Sequence, residues 1–241
     1  MSSIIGHRGA AGLAPENTLA GIDKAVELGI GWVELDVTLL GDGLPVMFHD
    51  SRLHRTTNGK GYINKVSGRE AGLLDAGGWF SDEYAGEKIP GLFETLELIK
   101  QSNLGLNLEL KPNGCDIQQL SEKVIDIISQ TSFPREKLLV SSFNYDILEL
   151  YQAQSDHQLG CLFERLPRNW KVLAENVGAV SIHLNANKIT EKKVVQIKDA
   201  GYEIYCYTVN DPDKALVLKD WGVDGVFSDY PQQLTGIFKR L

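Results

Sequence analysis

Short apolar runs alternate with amphipathic segments along most of the chain. The runs predict eight β-strands, at Ile4–Gly6, Trp32–Val37, Leu106–Leu110, Leu138–Ser142, Leu159–Phe163, Ala179–His183, Glu203–Thr208 and Gly225–Ser228. The segments between them have helical spacing, and several follow Asn, Asp or Ser in a capping position. They predict helices at Asn17–Leu28, Leu92–Gln101, Ile117–Gln130, Asp146–Gln154, Thr190–Ala200 and Pro212–Trp221.

Eight strands that alternate with helices predict an α/β protein, a (β/α)8 TIM barrel. An open doubly wound sheet is the alternative. The first predicted strand is not followed by the Gly-x-Gly-x-x-Gly turn that would favour a dinucleotide-binding sheet.

A ninth apolar run, Pro45–Phe48, interrupts the alternation. Only Leu40–Leu44 separates it from the second strand, and the Asp-Gly pair in that segment is typical of a hairpin turn. In such a hairpin the numbers of facing residues sum to about 85, which sets His49 opposite Asp36. Residues 51–90 then have many glycines and weak periodicity, so they predict an irregular insertion after the second strand that caps the site.

The bulk properties fit one acidic domain over residues 1–241. The chain is 43% hydrophobic, and its net charge of -8 argues against a nucleic-acid partner, so an anionic substrate must be held by local positive charge. Cys115, Cys161 and Cys206 are odd in number and far apart, which indicates neither a disulfide framework nor a zinc site. With no signal peptide and no membrane span visible, we expect a cytoplasmic protein. The sequence leaves open whether it forms a homo-oligomer.

Carboxylates on two predicted neighbouring strands point to a cation site. Side chains alternate along a strand, so Glu34 and Asp36 share one face about 6–7 Å apart, and Glu109 and Lys111 share the corresponding face of the next strand. Three oxygen ligands near the C-terminal ends of barrel strands suit Mg²⁺ or Ca²⁺ better than a softer metal. In the structural alternative, Arg8 only neutralises Glu34 and Lys111 only neutralises Glu109.

Two histidines and an arginine complete the candidate chemistry. Imidazoles move protons near neutral pH, which His7 and His49 could do, and the Arg8 guanidinium matches a phosphate geometrically. Together with the carboxylates, they favour metal-assisted cleavage of a phosphate ester. His183, at the end of a predicted strand, has no assigned role.

An ordered set of short motifs spans residues 5 to about 232. The motifs are His7-Arg8-Gly9, Pro15-Glu16-Asn17-Thr18, Glu34-Leu35-Asp36-Val37, Asp42-Gly43, Pro45-Val46, His49-Asp50, Leu53 with Arg55-Thr56-Thr57, Glu109-Leu110-Lys111-Pro112, Tyr207-Thr208-Val209-Asn210, and Asp224-Gly225 with Ser228-Asp229-Tyr230-Pro231. In this order they resemble the motifs of the glycerophosphodiester phosphodiesterase family, of the bacterial cytoplasmic type. The resemblance implies a (β/α)8 barrel with an insertion after the second strand, a divalent cation, and hydrolysis of small glycerophosphodiesters to sn-glycerol 3-phosphate and an alcohol.

The resemblance also assigns roles to residues. The metal ligands would be Glu34, Asp36 and Glu109, the acid/base pair His7 and His49, the phosphate ligands Arg8 and Lys111, and a glycerol contact Tyr207, where many members have Trp. We favour His49 as the acid and His7 as the base, and the sequence leaves the reverse assignment open. It also leaves open whether water or the glycerol 2-hydroxyl attacks the phosphorus first. The alternatives are a phospholipase-like barrel acting on a lysophospholipid or phosphoinositide, and a catalytically silent protein that binds a phosphorylated polyol.

Overall fold

In the computed structural model, which describes residues 1–238, the alternating apolar runs close into a barrel. The strands are β1 Ile4–Gly6, β2 Trp32–Leu39, β3 Pro45–Met47, β4 Gly105–Leu110, β5 Leu138–Ser142, β6 Gln158–Phe163, β7 Ser181–Asn185, β8 Glu203–Tyr207 and β9 Gly225–Ser228. Eight of them pair in parallel, and β1 pairs with both β2 and β9 and closes the ring. The predicted (β/α)8 barrel is confirmed, and the open sheet is wrong.

Helices follow most of the barrel strands. They are α1 Leu19–Glu27, α2 Gly68–Ala71, α3 Leu92–Gln101, α4 Ile117–Thr131, α5 Tyr145–Gln152, α6 Trp170–Asn176, α7 Glu191–Asp199 and α8 Pro212–Asp220. Side-chain caps begin several of them, for example Asp116 at α4 and Asn144 at α5. The sequence prediction omitted α2 and α6, which are only 4 and 7 residues long. None of the helices in residues 1–238 is long and apolar enough to cross a membrane.

Alternation along β2 and β4 separates the core from the site. Leu35 and Leu108 are fully buried in the layer between strands and helices, together with Val33, Val37, Leu39, Leu106 and Leu110. Asp36 and Glu109 are register partners on the opposite, axis-facing side. The period-2 pattern therefore stabilises the barrel with one face of each strand and supplies polar groups with the other.

The hairpin after β2 is present, with a register one residue away from the prediction. Val37 pairs with Met47 in the antiparallel ladder, and the Phe48 amide donates to the Asp36 carbonyl over 2.9 Å. Phe48, and not His49, therefore lies opposite Asp36. The cause is a three-residue loop that ends at Gly43 in the left-handed conformation, with φ of 81°.

The insertion after β3 has its own small core. It contains α2 and the short 3-10 helices Leu53–Arg55, Ile63–Lys65 and Asp82–Tyr84. Its buried residues are Leu40, Val46, Phe48, Leu53, Ile63, Ala71, Ala76 and Ile89. Because Phe48 is buried in this cluster, the next residue, His49, is held at the rim of the barrel.

Candidate active site

A cavity of about 150 Å³ opens at the C-terminal end of the barrel strands. Its lining comprises His7, Arg8, Glu34, His49, Asn107, Glu109, Lys111, Phe143, Leu162, Tyr207, Thr208 and Phe227. Seven of the eight residues that the sequence singled out line this cavity. The eighth, Asp36, is fully buried and lies against Arg8 and Lys111, so the structure brings all eight together.

Three carboxylates form the most buried part of the site. Glu34, Asp36 and Glu109 each offer one oxygen, and these oxygens lie within 4.8 Å of one another. The Asn17 side chain makes two hydrogen bonds with Asp36. Its Nδ2 donates to Asp36 Oδ2 over 2.8 Å, and its Oδ1 accepts from the Asp36 backbone amide. Asp36 Oδ1 is buried without a hydrogen-bond partner among the described residues.

The electrostatics of this cluster call for a cation. Burial raises the pKa of Glu109 to about 7, and the negative charge of Asp36 contributes to the rise. Burial and the same neighbour raise the pKa of Glu34 well above its ordinary value. Burial would also raise the pKa of Asp36, but Arg8 and Lys111 lower it to about 2. Buried like charges repel unless protons or a cation neutralise them, so the triad, with an Asp36 oxygen that accepts no hydrogen bond, fits a hard divalent ion.

The two cationic side chains contact carboxylates as well as the cavity. Lys111 Nζ lies 2.6 Å from Glu109 and 3.5 Å from Asp36. Arg8 lies 2.7 Å from Glu16 and 3.3 Å from Asp36. In the structural alternative Arg8 only neutralises Glu34; among the described residues the Arg8 side chain makes its ion pairs with Glu16 and Asp36, and Glu34 accepts a 3.0 Å hydrogen bond from the Arg8 backbone amide.

Each histidine of the cavity is bound through Nδ1 to an aspartate. His7 Nδ1 lies 2.6 Å from Asp229, and His49 Nδ1 lies 2.6 Å from Asp50. A carboxylate at Nδ1 orients the ring and keeps the hydrogen there, which leaves Nε2 to exchange protons. His7 Nε2 lies 3.9 Å from Glu34, so its exchanging nitrogen is beside the carboxylate cluster.

Side chains behind the histidines, to which the sequence analysis assigned no role, complete the site. Asn210 donates to Asp229 over 2.7 Å. Arg55 binds Asp50 through two hydrogen bonds of 2.6 and 3.0 Å, and it also binds Glu16. All of these positions fall within the motifs that carry the family resemblance, which was the one available signal.

Tyr207 lies in the cavity wall, and its hydroxyl is already engaged. That hydroxyl donates to the Phe163 carbonyl over 2.9 Å, and the ring meets Phe143 edge-on at a centroid distance of 5.8 Å. Tyr207 can therefore offer a ring face, but not a free hydroxyl, to a ligand.

His183 is fully buried and does not line the cavity; its Nε2 contacts Ser181.

Comparisons with known proteins agree with this geometry. Residues 7–233 match the model of the glycerophosphoryl diester phosphodiesterase family. A glycerophosphodiester phosphodiesterase from Caldanaerobacter subterraneus subsp. tengcongensis is 34% identical over 239 residues, which cover 98% of each chain. An Oleispira antarctica phosphodiesterase, solved in complex with the product sn-glycerol-3-phosphate, is 41% identical, has a TM-score of 0.95, and the match covers 98% of this chain and 96% of that one. A glycerophosphodiester phosphodiesterase from Agrobacterium tumefaciens is 28% identical, with a TM-score of 0.82 and coverage of 97% and 99%.

Proposed function

The chain belongs to the glycerophosphoryl diester phosphodiesterase family and is a phosphodiesterase, and we propose that it hydrolyses glycerophosphodiesters to sn-glycerol 3-phosphate and an alcohol. The observation that carries the proposal is one cavity with two histidine–aspartate pairs beside three buried carboxylates. The product bound by the related Oleispira antarctica enzyme supports the same small-molecule chemistry.

Glu34, Asp36 and Glu109 would hold one divalent cation, Mg²⁺ or Ca²⁺. When bound, such a cation polarises the phosphoryl group and neutralises charge that develops on its non-bridging oxygens. Asp36 Oδ1 supports this assignment, because it is buried and accepts no hydrogen bond among the described residues, although the Lys111 ammonium lies 3.5 Å away.

Arg8 and Lys111 would bind the phosphate. Arg8 lines the cavity, and its Nε, which lies 3.3 Å from Asp36, makes no hydrogen bond within the described part of the chain. Lys111 lines the same cavity and adds a second positive charge. Fixed cationic donors aimed at developing negative charge are among the largest contributions to catalysis.

His7 and His49 would transfer the protons. His49 borders both the main cavity and an open groove outside it, so it is suited to protonate the alcohol that departs through the groove. His7, beside Glu34, would take the proton of the attacking group, either water or the glycerol 2-hydroxyl. Each transfer typically contributes about 10²–10⁴-fold to the rate. Asp229 and Asp50 act as positioning residues that hold the rings.

The glycerol moiety would lie against Tyr207, whose ring forms part of the cavity wall.

We further propose a cytoplasmic enzyme. The cysteines Cys161 and Cys206 are buried free thiols, and burial raises the pKa of each to about 12, which disfavours the reactive thiolate form and fits a reducing compartment.

Release of sn-glycerol 3-phosphate from glycerophosphocholine, glycerophosphoethanolamine and glycerophosphoglycerol tests the proposal. We expect release with Mg²⁺ or Ca²⁺ and none with excess chelator, and little turnover of a lysophospholipid measured in parallel. Turnover of the lysophospholipid alone would favour the phospholipase-like alternative. Binding of sn-glycerol 3-phosphate without any turnover would favour a silent binding protein.

A further inference from the structure

An open groove continues outward from the active-site cavity along the insertion. Its inner part, of about 380 Å³, shares His49 and Lys111 with the cavity and is also lined by Arg52 and His54. The groove continues into a part of about 440 Å³ that includes Tyr62 and Lys65. A substituent leaving the phosphate past His49 would enter this groove.

The positions of the groove residues are fixed by backbone and side-chain contacts. Arg52 and Tyr62 form an antiparallel backbone bridge, which fixes their relation across the insertion. Asn113 donates to the carbonyls of His49 and Asp50 over 3.2 Å each, and so joins the groove to the loop after β4.

The groove carries unpaired positive charge on an otherwise acidic protein. Its acidic residue, Asp50, is already bound by Arg55 and His49. Within residues 1–238, neither Arg52 nor Lys65 has a carboxylate within ion-pair distance. The chain as a whole has a net charge of -8, so a local excess of cations is a specific feature of this surface.

Tyr62, the tyrosine that lines the groove, already binds a cation of the protein itself. Tyr62 lies under the Arg52 guanidinium, whose carbon is 4.4 Å from the ring centroid, and the Tyr62 hydroxyl accepts a 2.6 Å hydrogen bond from Arg52. A trimethylammonium head group needs an open aromatic face or an acidic partner. In the groove one face of Tyr62 carries the Arg52 guanidinium and Asp50 is already bound by Arg55 and His49, so a trimethylammonium group would meet the positive charge of Arg52 there.

We propose that this groove binds the alcohol part of the substrate, and that Arg52, with Lys65 farther out, selects glycerophosphodiesters whose alcohol carries a second anionic group. This inference rests on the proposed function of the adjoining cavity. The guanidinium binds phosphate or carboxylate through paired hydrogen bonds, and Tyr62 holds it in place for that contact.

Two matched substrate pairs test the inference. Glycerophosphoinositol 4-phosphate differs from glycerophosphoinositol by one phosphate, and glycerophosphoserine differs from glycerophosphoethanolamine by one carboxylate. We expect kcat/KM to be higher for the anionic member of at least one pair by roughly 3- to 10-fold, as for a partly exposed ion pair at low salt. In R52Q this ratio should fall toward 1, and in K65Q it should fall less.

The ratio within a pair is the readout, so a general loss of activity in a variant cancels. R69Q, which removes an exposed arginine of α2 outside the groove, should keep the parent ratio. The pair that responds to R52Q identifies the anionic group as phosphate or carboxylate. Ratios near 1 in the parent enzyme, or ratios that R52Q leaves unchanged, would overturn the inference alone. If none of the four substrates is cleaved, the proposed function fails and the inference fails with it.

Discussion

Arg55 binds both carboxylate oxygens of Glu16 through two hydrogen bonds of 2.7 Å each. The same guanidinium binds both oxygens of Asp50, which holds His49, and Glu16 holds Arg8. One side chain of the insertion therefore connects a histidine at the rim to an arginine that follows β1. Burial alone would raise the pKa of Asp50. The hydrogen bonds from Arg55 and His49 outweigh that effect and keep the pKa of Asp50 below its ordinary value.

We expect Arg55→Lys to lower kcat by about 10-fold or more with a smaller change in KM. Lysine keeps the positive charge but is a point donor, so it cannot bind two carboxylates with a planar fork. Misplacement of His49 and Arg8 by about 1 Å is enough for a large loss of rate. Steady-state kinetics with a glycerophosphodiester would measure the effect.

Arg69→Lys in α2 is the matched control, because Arg69 is exposed and outside this network. Thermal unfolding of both variants would show whether Arg55→Lys remains folded at the assay temperature. A folded Arg55→Lys variant with the parent kcat would show that Arg55 does not position the site.

A divalent cation should stabilise the folded protein. The triad of Glu34, Asp36 and Glu109 forms only on folding, so an ion that binds it raises Tm by mass action. We expect Tm to rise with millimolar Mg²⁺ or Ca²⁺ and to fall back with chelator. In Glu109→Gln, which removes one ligand charge, the rise should be much smaller.

Glu122→Gln, on the exposed face of α4, provides the control for Glu109→Gln and should keep the full cation-dependent rise. A parent protein whose Tm is the same with chelator, Mg²⁺ and Ca²⁺ would argue against a cation site at the triad.

Removal of either active-site imidazole should reduce kcat by about 10²–10⁴-fold, the usual contribution of one positioned proton donor or acceptor. His7→Ala and His49→Ala test this separately, and both side chains line the cavity without belonging to the main core. His157→Asn serves as the control, because His157 contacts Tyr151 and Ser155 away from the cavity. A kcat within twofold of the parent in either alanine variant would remove that histidine from the proposed chemistry.

Local patterns predicted the barrel because strand alternation and helix caps are encoded by nearby residues. The predicted register of the β2–β3 hairpin was wrong by one residue. A hairpin loop of two, three or four residues can contain Asp-Gly, so the sequence does not give the loop length, which is set here by the left-handed conformation of Gly43. The pairing of His7 with Asp229 spans 222 positions, so no local pattern contains it. Arg55 lies five positions from Asp50, but its second partner, Glu16, is 39 positions away, so a local pattern could at most have contained the first pairing.

The buried His183 should make stability depend on pH. Burial, with a smaller contribution from the N-terminal amino group, lowers the pKa of His183 to about 3. Its Nδ1 has no hydrogen-bond partner in the described chain, so a protonated ring would carry a buried, unpaired N–H. The unfolded chain, with an ordinary histidine pKa of 6.5, takes up a proton as pH falls below that value, whereas the folded chain does not until about pH 3. Stability from this group is therefore complete above about pH 6.5 and declines by about 1.4 kcal/mol per pH unit below it.

Denaturant unfolding of the parent and of His183→Leu at pH 7 and pH 5 measures this contribution. Between these pH values, the free energy of unfolding of the parent should fall by about 2 kcal/mol more than that of His183→Leu, because only the parent contains the buried imidazole. The comparison uses the difference between two pH values, so the cost of losing the contact with Ser181 cancels. His54→Asn removes an exposed histidine and should keep the pH dependence of the parent. Equal losses in the parent and His183→Leu would show that His183 is protonated equally in the folded and unfolded states.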